Sequence, residues 1–384
     1  MIGFDLTPEQ IGMQEKARRF VREVILPVAG KHDRDGSFPL DIMQKAYAEG
    51  YLTPFIPRQY GGGGWGMLDT CLLSEELAAG DMGIFVSIFV STLALYPIIK
   101  FGTEDQKSGI LKPFCEKFTL ASYCLSEYPV GSDPASLETT AKPEGDSYIL
   151  NGTKMWITNG GYADLYLVFA TTDPQKKHKG IISLIVPSNF QGVRHGEPID
   201  KMGQRASNTT AVTFKNVRVP RKNLLAGEGE GFKKAMVALD ITRPMIGIGA
   251  VGLARTALEL ATQYAQTRIQ FGVPIAEHQA VQFMLADMAI GIDAARLLVW
   301  RAASLADQGL RNSREAAMAK ALAADVAMQV TTDAVQIYGG MGYTKWHPVE
   351  KLMRDAKVIQ IYEGSAQIMR KVISKNLLRR EKVP

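Results

Sequence analysis

Tyr148-Ile149-Leu150-Asn151-Gly152, continuing through Lys154-Met155-Trp156-Ile157-Thr158-Asn159-Gly160-Gly161, is where the helical period of this chain gives way to strand chemistry. Short apolar and β-branched runs at Tyr148 to Leu150, Leu165 to Ala170, Ile181 to Val186 and Ala211 to Phe214 read as strands. Turn signals separate them at Asn151-Gly152, Asn159-Gly160-Gly161 and Pro187-Ser188-Asn189. No helical segment long enough for a parallel crossover intervenes, so the expectation is an antiparallel, barrel-like β domain over residues 119–230.

On both sides of it the apolar residues recur at helical spacing. Residues 1–118 read as an all-helical domain, broken by turns at Gly36 to Pro39, Pro54 to Gly64 and Gly80 to Gly83. Residues 231–384 read as four long helices, roughly Phe232 to Arg268, His278 to Leu310, Ser313 to Tyr338 and Val349 to Leu378, which predicts a four-helix bundle. The fold class is thus multidomain α+β. At roughly 150 residues per domain, 384 residues with 46% hydrophobic content supply two or three well-filled cores and exclude a disordered chain.

Charge narrows the partners. Forty-four basic against 39 acidic residues give +5, and the surplus is scattered apart from a cluster between Lys371 and Lys382, which is a poor footprint for nucleic acid. The uncharged stretch Met82 to Ile99 is marginally long enough to span a bilayer, but its Gly83, Ser87, Ser91, Thr92 and Pro97 fit a buried core helix, and no membrane insertion is expected. Asp5, Glu9 and Glu15 stand where a secretory signal would be basic and then apolar. Cys71, Cys115 and Cys124 form no CxxC pair, which fits a reducing compartment: the cytoplasm, or the mitochondrial matrix if an import peptide has been removed.

Two glycine motifs have bland readings. Gly247-Ile248-Gly249-Ala250-Val251-Gly252 matches a dinucleotide fingerprint, yet it follows a helical segment rather than a strand, so its small residues are read as a close helix-packing surface. Gly61 to Gly64 lacks the lysine and helix of a phosphate loop and is read as a flexible connection. The five histidines, His32, His178, His195, His278 and His347, show no metal-ligand spacing, and no serine stands in a nucleophile elbow.

Seven further motifs are informative together. They are Tyr123-Cys124-Leu125-Ser126-Glu127 with Gly131-Ser132-Asp133; Lys154 to Gly161; Lys201-Met202-Gly203-Gln204-Arg205-Ala206-Ser207; Arg268-Ile269-Gln270-Phe271-Gly272; His278-Gln279-Ala280; Gln336-Ile337-Tyr338-Gly339-Gly340; and Ile361-Tyr362-Glu363-Gly364-Ser365-Ala366-Gln367-Ile368. At these residues, in order and from about Leu6 to Lys375, the chain resembles an acyl-CoA dehydrogenase, and from Lys201 onward it is especially similar to the medium-chain members.

The resemblance implies the same three-domain order, a homotetramer, and FAD between the β and C-terminal domains with contacts crossing a subunit interface. It implies an α,β-dehydrogenation of a CoA thioester, with the α-proton passing to Glu363 and the β-hydride to flavin N5, because no protein side chain accepts hydride. Taken alone, Glu363 is an ordinary solvated glutamate at a helix end. Some branches of the family carry the base at the position matching Thr242, and threonine cannot serve. By the same resemblance Tyr123, Leu125, Ser126, Trp156, Ile157 and Thr158 meet the flavin. Arg268, Gln270, Phe271, His278, Gln279, Gln336, Gly339, Gly340, Ser365 and Gln367 hold the nucleotide end. Ser132, Asp240 and Arg243 hold the CoA arm, and Tyr362 and Gly364 flank the thioester. Electrons then pass to electron-transferring flavoprotein.

The departures matter. Where the family reads Thr-Glu-Pro-Gly-Ala-Gly-Ser-Asp, this chain reads Ser126-Glu127-Tyr128-Pro129-Val130-Gly131-Ser132-Asp133, which keeps oxidase or reductase behaviour open. The helix that closes the acyl pocket in relatives offers Phe85, Phe89 and Ser91 and no cation, which disfavours dicarboxylyl esters. Two phenylalanines facing the cavity would favour a compact short, branched or alicyclic acyl group such as cyclohexanecarboxyl; packed into the core instead, they would leave the pocket length open. A straight medium chain is the alternative, as is an acyl-CoA-binding flavoprotein that does not dehydrogenate.

Overall fold

The computed structural model describes residues 5–378, so Arg379, Arg380 and Lys382 of the basic cluster lie outside the described residues. Six helices come first: α1 (Pro8–Phe20), α2 (Leu26–Asp35), α3 (Leu40–Ala48), α4 (Met67–Gly80), α5 (Met82–Phe101) and α6 (Glu104–Glu116), with a single π-helical turn, Val21–Ile25, joining α1 to α2. Thr7 and Thr103 each open their helices with a full capping box, accepting from Gln10 N and Gln106 N. The helix α5 is buried nearly throughout, on α7 (Gly231–Thr267) and on β1 (Ala121–Cys124), so its length and apolarity serve the protein core. The helix α7 is also long and apolar enough to cross a membrane and is likewise mostly buried.

The middle domain holds β1, β2 (Thr140–Glu144), β3 (Ser147–Thr158), β4 (Leu165–Thr171), β5 (Ile181–Pro187), β6 (Val193–His195), β7 (Thr209–Pro220) and β8 (Leu224–Ala226) in the order β6-β7-β3-β2-β4-β5-β8, with β1 beside β4. Two corrections to the expected antiparallel sheet follow. The β1–β4 pairing is parallel in register Ala121↔Leu165, and β2 meets β4 through one parallel pair, Thr140↔Thr171. Asn151-Gly152 is a bulge inside the long strand β3, where register slips against β7, rather than a turn. A Cβ on Gly152 would lie 2.5 Å from Thr139 Oγ1, and its φ of 148° excludes other residues.

The last domain contains α7, a small hairpin of β9 (Ile269–Gln270) and β10 (Val273–Pro274), α8 (Gln279–Asp307), α9 (Ser313–Tyr338), α10 (Val349–Lys357) and α11 (Ala366–Leu377). The fourth expected helix is therefore two helices. Between them lie a 3-10 turn, Val358–Gln360, and the irregular residues 361–365, where Glu363 and Gly364 take φ values of 52° and 97°.

Both glycine motifs are packing devices. A Cβ on Gly249 would come 2.6 Å from the Phe85 ring, and one on Gly252 would come 2.2 Å from the Glu75 carbonyl oxygen, so α7 crosses α4 and α5 at backbone contact. Gly252→Ala is expected to lower stability by about 1–3 kcal/mol, because the obstructing Glu75 carbonyl and Ala79 amide nitrogen are both backbone; the thermal unfolding midpoint is the readout, and an unchanged midpoint would remove the packing argument. Gly61 to Gly64 is held tightly instead of flexible: Gly63 N donates to Thr53 O and Gly64 N to Ile56 O, and a Cβ on Gly62 would sit 2.2 Å from Ile56 O.

Candidate functional site

The break between α10 and α11 brings Glu363 against the middle of α7. Thr242, buried, donates from Oγ1 to Glu363 Oε2 at 3.1 Å. Thr242 and Glu363 thus meet although 121 residues apart. The Nε of Arg243 donates to the Glu363 carbonyl at 3.2 Å, and its Nη1 pairs with Asp240 at 2.6 Å. Asp240 also accepts from the Ser313 hydroxyl. The Nζ of Lys320 donates to the Gly364 carbonyl at 2.6 Å. Burial pushes the Glu363 carboxyl up to about 7, while the Arg243 charge, the Thr242 hydrogen bond and the Lys320 charge hold it from rising further.

Tyr362 lies behind the loop. Its hydroxyl accepts from Gln204 Nε2 at 3.3 Å, and Gln204 donates to both ends of Asp355, from its backbone to the carboxylate and from Nε2 to the carbonyl at 3.1 Å. Lys351 bridges Asp355 and Asp81 at 2.5 and 2.7 Å. Asp81 caps α5 by accepting from Ile84 N, so one buried network ties all three domains together behind Tyr362. The Tyr123 side chain of β1 reaches the Ala235 carbonyl on α7 at 3.3 Å, and burial followed by the nearby Glu363 charge pushes its phenol well up.

The flavin-side candidates gather on β1 and the end of β3. Trp156 has φ 65° where β3 and β7 lose register, and its side chain stands out of the sheet, 52% exposed. Its neighbour Met155 donates from N to the Ser126 carbonyl at 2.9 Å. Ile157 is buried in the core of the middle domain, and the Thr158 carbonyl accepts from the Ser122 hydroxyl at 2.7 Å. Asn159 Nδ2 donates to Ser87 O at 2.8 Å and fixes this strand end to α5.

The altered loop is built on a buried ion pair. Lys154 Nζ lies 2.8 Å from Glu127 Oε1 and 3.0 Å from the Leu125 carbonyl, and Glu127 also accepts from the amides of Glu138 and Thr139 at 2.6 and 2.9 Å. Burial raises the Glu127 carboxyl, but the Lys154 charge and these bonds more than offset it, and the net direction is down. Glu127 and Val130 close the turn through both backbone bonds, at 3.0 and 3.1 Å. Val130 is buried, whereas Tyr128, Pro129 and Ser132 face solvent.

Along α5, Phe85 and Phe89 are buried and stacked, with centroids 5.7 Å apart. The Ser91 hydroxyl is committed to the backbone, accepting from Ala121 N at 3.1 Å, so it anchors β1 to α5.

The nucleotide-end candidates form a second group around the far ends of α7 and α9. Tyr264 stacks on Tyr338 at 4.0 Å, which places Gln336, Gly339 and Gly340 beside the Arg268 hairpin. Arg268, Gln270 and Gln279 are exposed, as is Gln367 on α11, while Ser365 caps α11 by accepting from Ile368 N. Phe271 has φ 53° at the hairpin tip and is 94% exposed, with its ring 5.8 Å from that of His278. The Nε2 of His278 is buried without a hydrogen-bond partner. These residues fit FAD: an indole presented at a strand end, and an exposed ring beside an imidazole with an unmet polar atom, await a large heteroaromatic molecule.

Three family models match the chain in succession: the N-terminal domain of acyl-CoA dehydrogenase over residues 7–117, the middle domain over 122–217 and the C-terminal domain over 229–378. The chain belongs to the acyl-CoA dehydrogenase family. It is an FAD-dependent oxidoreductase of that family. It is 43% identical over 375 residues to an acyl-CoA dehydrogenase of Bacillus subtilis, covering 97% of this chain and 99% of the relative. It is 41% identical over 380 residues, 98% of this chain and 92% of the relative, to a probable mitochondrial medium-chain specific acyl-CoA dehydrogenase of Caenorhabditis briggsae. Butyryl-CoA dehydrogenase from Megasphaera elsdenii superposes with a TM-score of 0.96 at 39% identity, over 98% of this chain and all of that one.

Two residues of this acyl-CoA dehydrogenase site escape a reading of the sequence. Gln204 sits inside a recognisable motif, but its contact with Tyr362 spans 158 residues. Lys320 does leave a local signal: Ala316, Ala317, Ala323 and Ala324 occupy every position three and four residues away, the environment of a buried helix face around a charge.

Proposed function

We propose that this acyl-CoA dehydrogenase introduces an α,β double bond into a CoA thioester with Glu363 as the base, and that its acyl group is compact. The observation that carries the reading is Glu363 itself: a carboxyl held near neutrality by burial, hydrogen-bonded by Thr242 and set in a left-handed turn between two helices. A carboxylate with a pKa near 7 has the driving force to take an α-proton and is still about half ionised at neutral pH. Bound FAD supplies the hydride acceptor that side chains lack. Trp156, Thr158, Ser126, Tyr123, Leu125 and Ile157 would hold its ring system. The Glu363 amide would bind the thioester oxygen, and Gly364 would leave room for the ligand to approach. Arg243, although assigned by resemblance to the CoA arm together with Asp240 and Ser132, also secures the base loop through the Glu363 carbonyl.

A homotetramer is part of the proposal. Thr242 and the Arg268 hairpin lie about 38 Å apart along α7, so the Arg268, Gln270, Phe271, His278 and Gln279 group of one subunit serves the FAD whose ring rests on another subunit's β domain. Phe283, Ile290 and Leu297 recur every seven residues on α8 and all are exposed, which supports helix-to-helix association. The free Cys71, Cys115 and Cys124 support a reducing compartment, with the cytoplasm proposed, and electron-transferring flavoprotein is the proposed acceptor.

Phe85, stacked on Phe89, packs against Gly249 in the helical core, and the compact acyl group rests on this pair also bounding the pocket. Anaerobic titration of the FAD-loaded protein with butyryl-, isobutyryl-, cyclohexanecarboxyl-, octanoyl- and glutaryl-CoA tests it by loss of the blue flavin absorbance band. Faster bleaching by the branched or alicyclic esters is expected. Preference for octanoyl-CoA would overturn the compact pocket, and no bleaching by any ester would favour a reductase or an unusual substrate, with the altered loop at Tyr128 to Val130 as the cause.

A further inference from the structure

Lys320 stands in the middle of α9 with no exposed side-chain surface, ringed by Ala316, Ala317, Ala323 and Ala324. Its one hydrogen bond among the described residues goes to the Gly364 carbonyl. Arg243 reaches the preceding carbonyl, that of Glu363, from α7. Two cations from different helices therefore grip consecutive carbonyls of the two residues whose φ angles are 52° and 97°. A neutral donor would hold a carbonyl without the cost of burying an ammonium, so hydrogen bonding alone does not account for a lysine there. What the charge adds is stabilisation of the neighbouring carboxylate.

We infer that Lys320 is a positioning residue for the Glu363 base, holding the Gly364 carbonyl so that the carboxyl meets Thr242 and setting a positive charge beside the base. The inference rests on Glu363 being the base. The groups facing Glu363 are Arg243 and Thr242 from α7, Lys320 from α9, Tyr123 from β1, and Tyr362 beside it, while Asp240 pairs with Arg243 and Asp325 acts on Lys320. Asp325 is paired with Arg370 at 2.7 Å and bonded by Gln360, which leaves Lys320 and Arg243 as the cations acting on the carboxyl. Burial pushes the Lys320 ammonium down to about 8, so it is charged at neutral pH. Removing that charge removes one of the influences that lower Glu363, so the carboxyl titrates higher and the base form is scarcer at neutral pH.

The test uses full-length, FAD-loaded enzyme with Lys320→Met, Lys320→Gln and Lys320→Arg, and Glu363→Gln as control. The probe is whichever of butyryl-, cyclohexanecarboxyl- or octanoyl-CoA bleaches the wild type. Met and Gln are expected to move the acid limb of the flavin-reduction rate about one pH unit alkaline, roughly tenfold slower at a fixed pH below the inflection, with unchanged FAD content. Arg, which keeps charge and donor, restores the wild-type limb. An unmoved limb in Met and Gln overturns the inference, as does failure of Arg to restore what Met loses. If Glu363→Gln reduces flavin as fast as wild type, the base assignment falls and this inference with it; if Glu363→Gln is inactive while the Lys320 profiles match wild type, only this inference falls. Hydrogen–deuterium exchange over residues 361–366 needs no turnover: faster exchange in Lys320→Met supports the clamp, and identical exchange overturns it.

Discussion

Glutamine in place of Glu363 is expected to slow flavin reduction by an acyl-CoA ester by about a hundred- to ten-thousand-fold, the range for removing a general base, while FAD content and oligomeric state stay as in the wild type. The change is nearly isosteric, keeps an acceptor for Thr242 and leaves the backbone clamps from Arg243 and Lys320 in place. Anaerobic stopped-flow absorbance reads it directly. Raising the pH should not rescue the variant, because an amide has no ionisation to gain. A variant within a few-fold of wild type would transfer the proton abstraction to another group.

Lys154→Met carries the largest expected effect on stability. The lysine is fully buried and pairs with Glu127, and its removal leaves a buried carboxylate with only the amides of Glu138 and Thr139. Breaking one half of such a pair costs about 3–5 kcal/mol. The double change Lys154→Met with Glu127→Gln should recover part of that loss, since it removes the stranded charge as well. The unfolding midpoint of each variant checks this. Because Lys154 also holds the Leu125 carbonyl beside Ser126, both variants are expected to lose FAD more readily than the wild type, measured by free flavin after gel filtration. Equal midpoints for wild type and Lys154→Met would refute the ion pair's structural role.

The three-domain order and the cores of β3, β4, β5 and β7 are legible in the chain because helix and strand periods differ sharply and the switches occur near residues 120 and 231. The site is legible only through motif resemblance, since its contacts join residues far apart: Thr242 with Glu363, Lys320 with Gly364, Gln204 with Tyr362. Local patterns mislead where tertiary packing decides. The apolar period runs on through Val358-Ile359-Gln360-Ile361-Tyr362, so nothing in it announces the break that presents Glu363; the break depends on two carbonyls held from α7 and α9 and on Gly364 at φ 97°. Asn151-Gly152 has turn chemistry yet lies within a strand, because Gly152 lets β3 bulge past Thr139. Gly61 to Gly64 has the composition of a loose linker and is instead a place where backbones touch. The parallel β1–β4 pair is invisible because β1 is short and its partner is chosen by α5, whose Ser91 accepts from the Ala121 amide.

Mass spectrometry of the recovered ester after one anaerobic turnover tests the central claim most directly. With stoichiometric FAD-loaded enzyme and cyclohexanecarboxyl- or butyryl-CoA, the account predicts a product two hydrogen atoms lighter than the substrate, formed by the wild type and absent with Glu363→Gln. Recovery of the ester at unchanged mass while the flavin bleaches, or the lighter product in undiminished yield from Glu363→Gln, would contradict it.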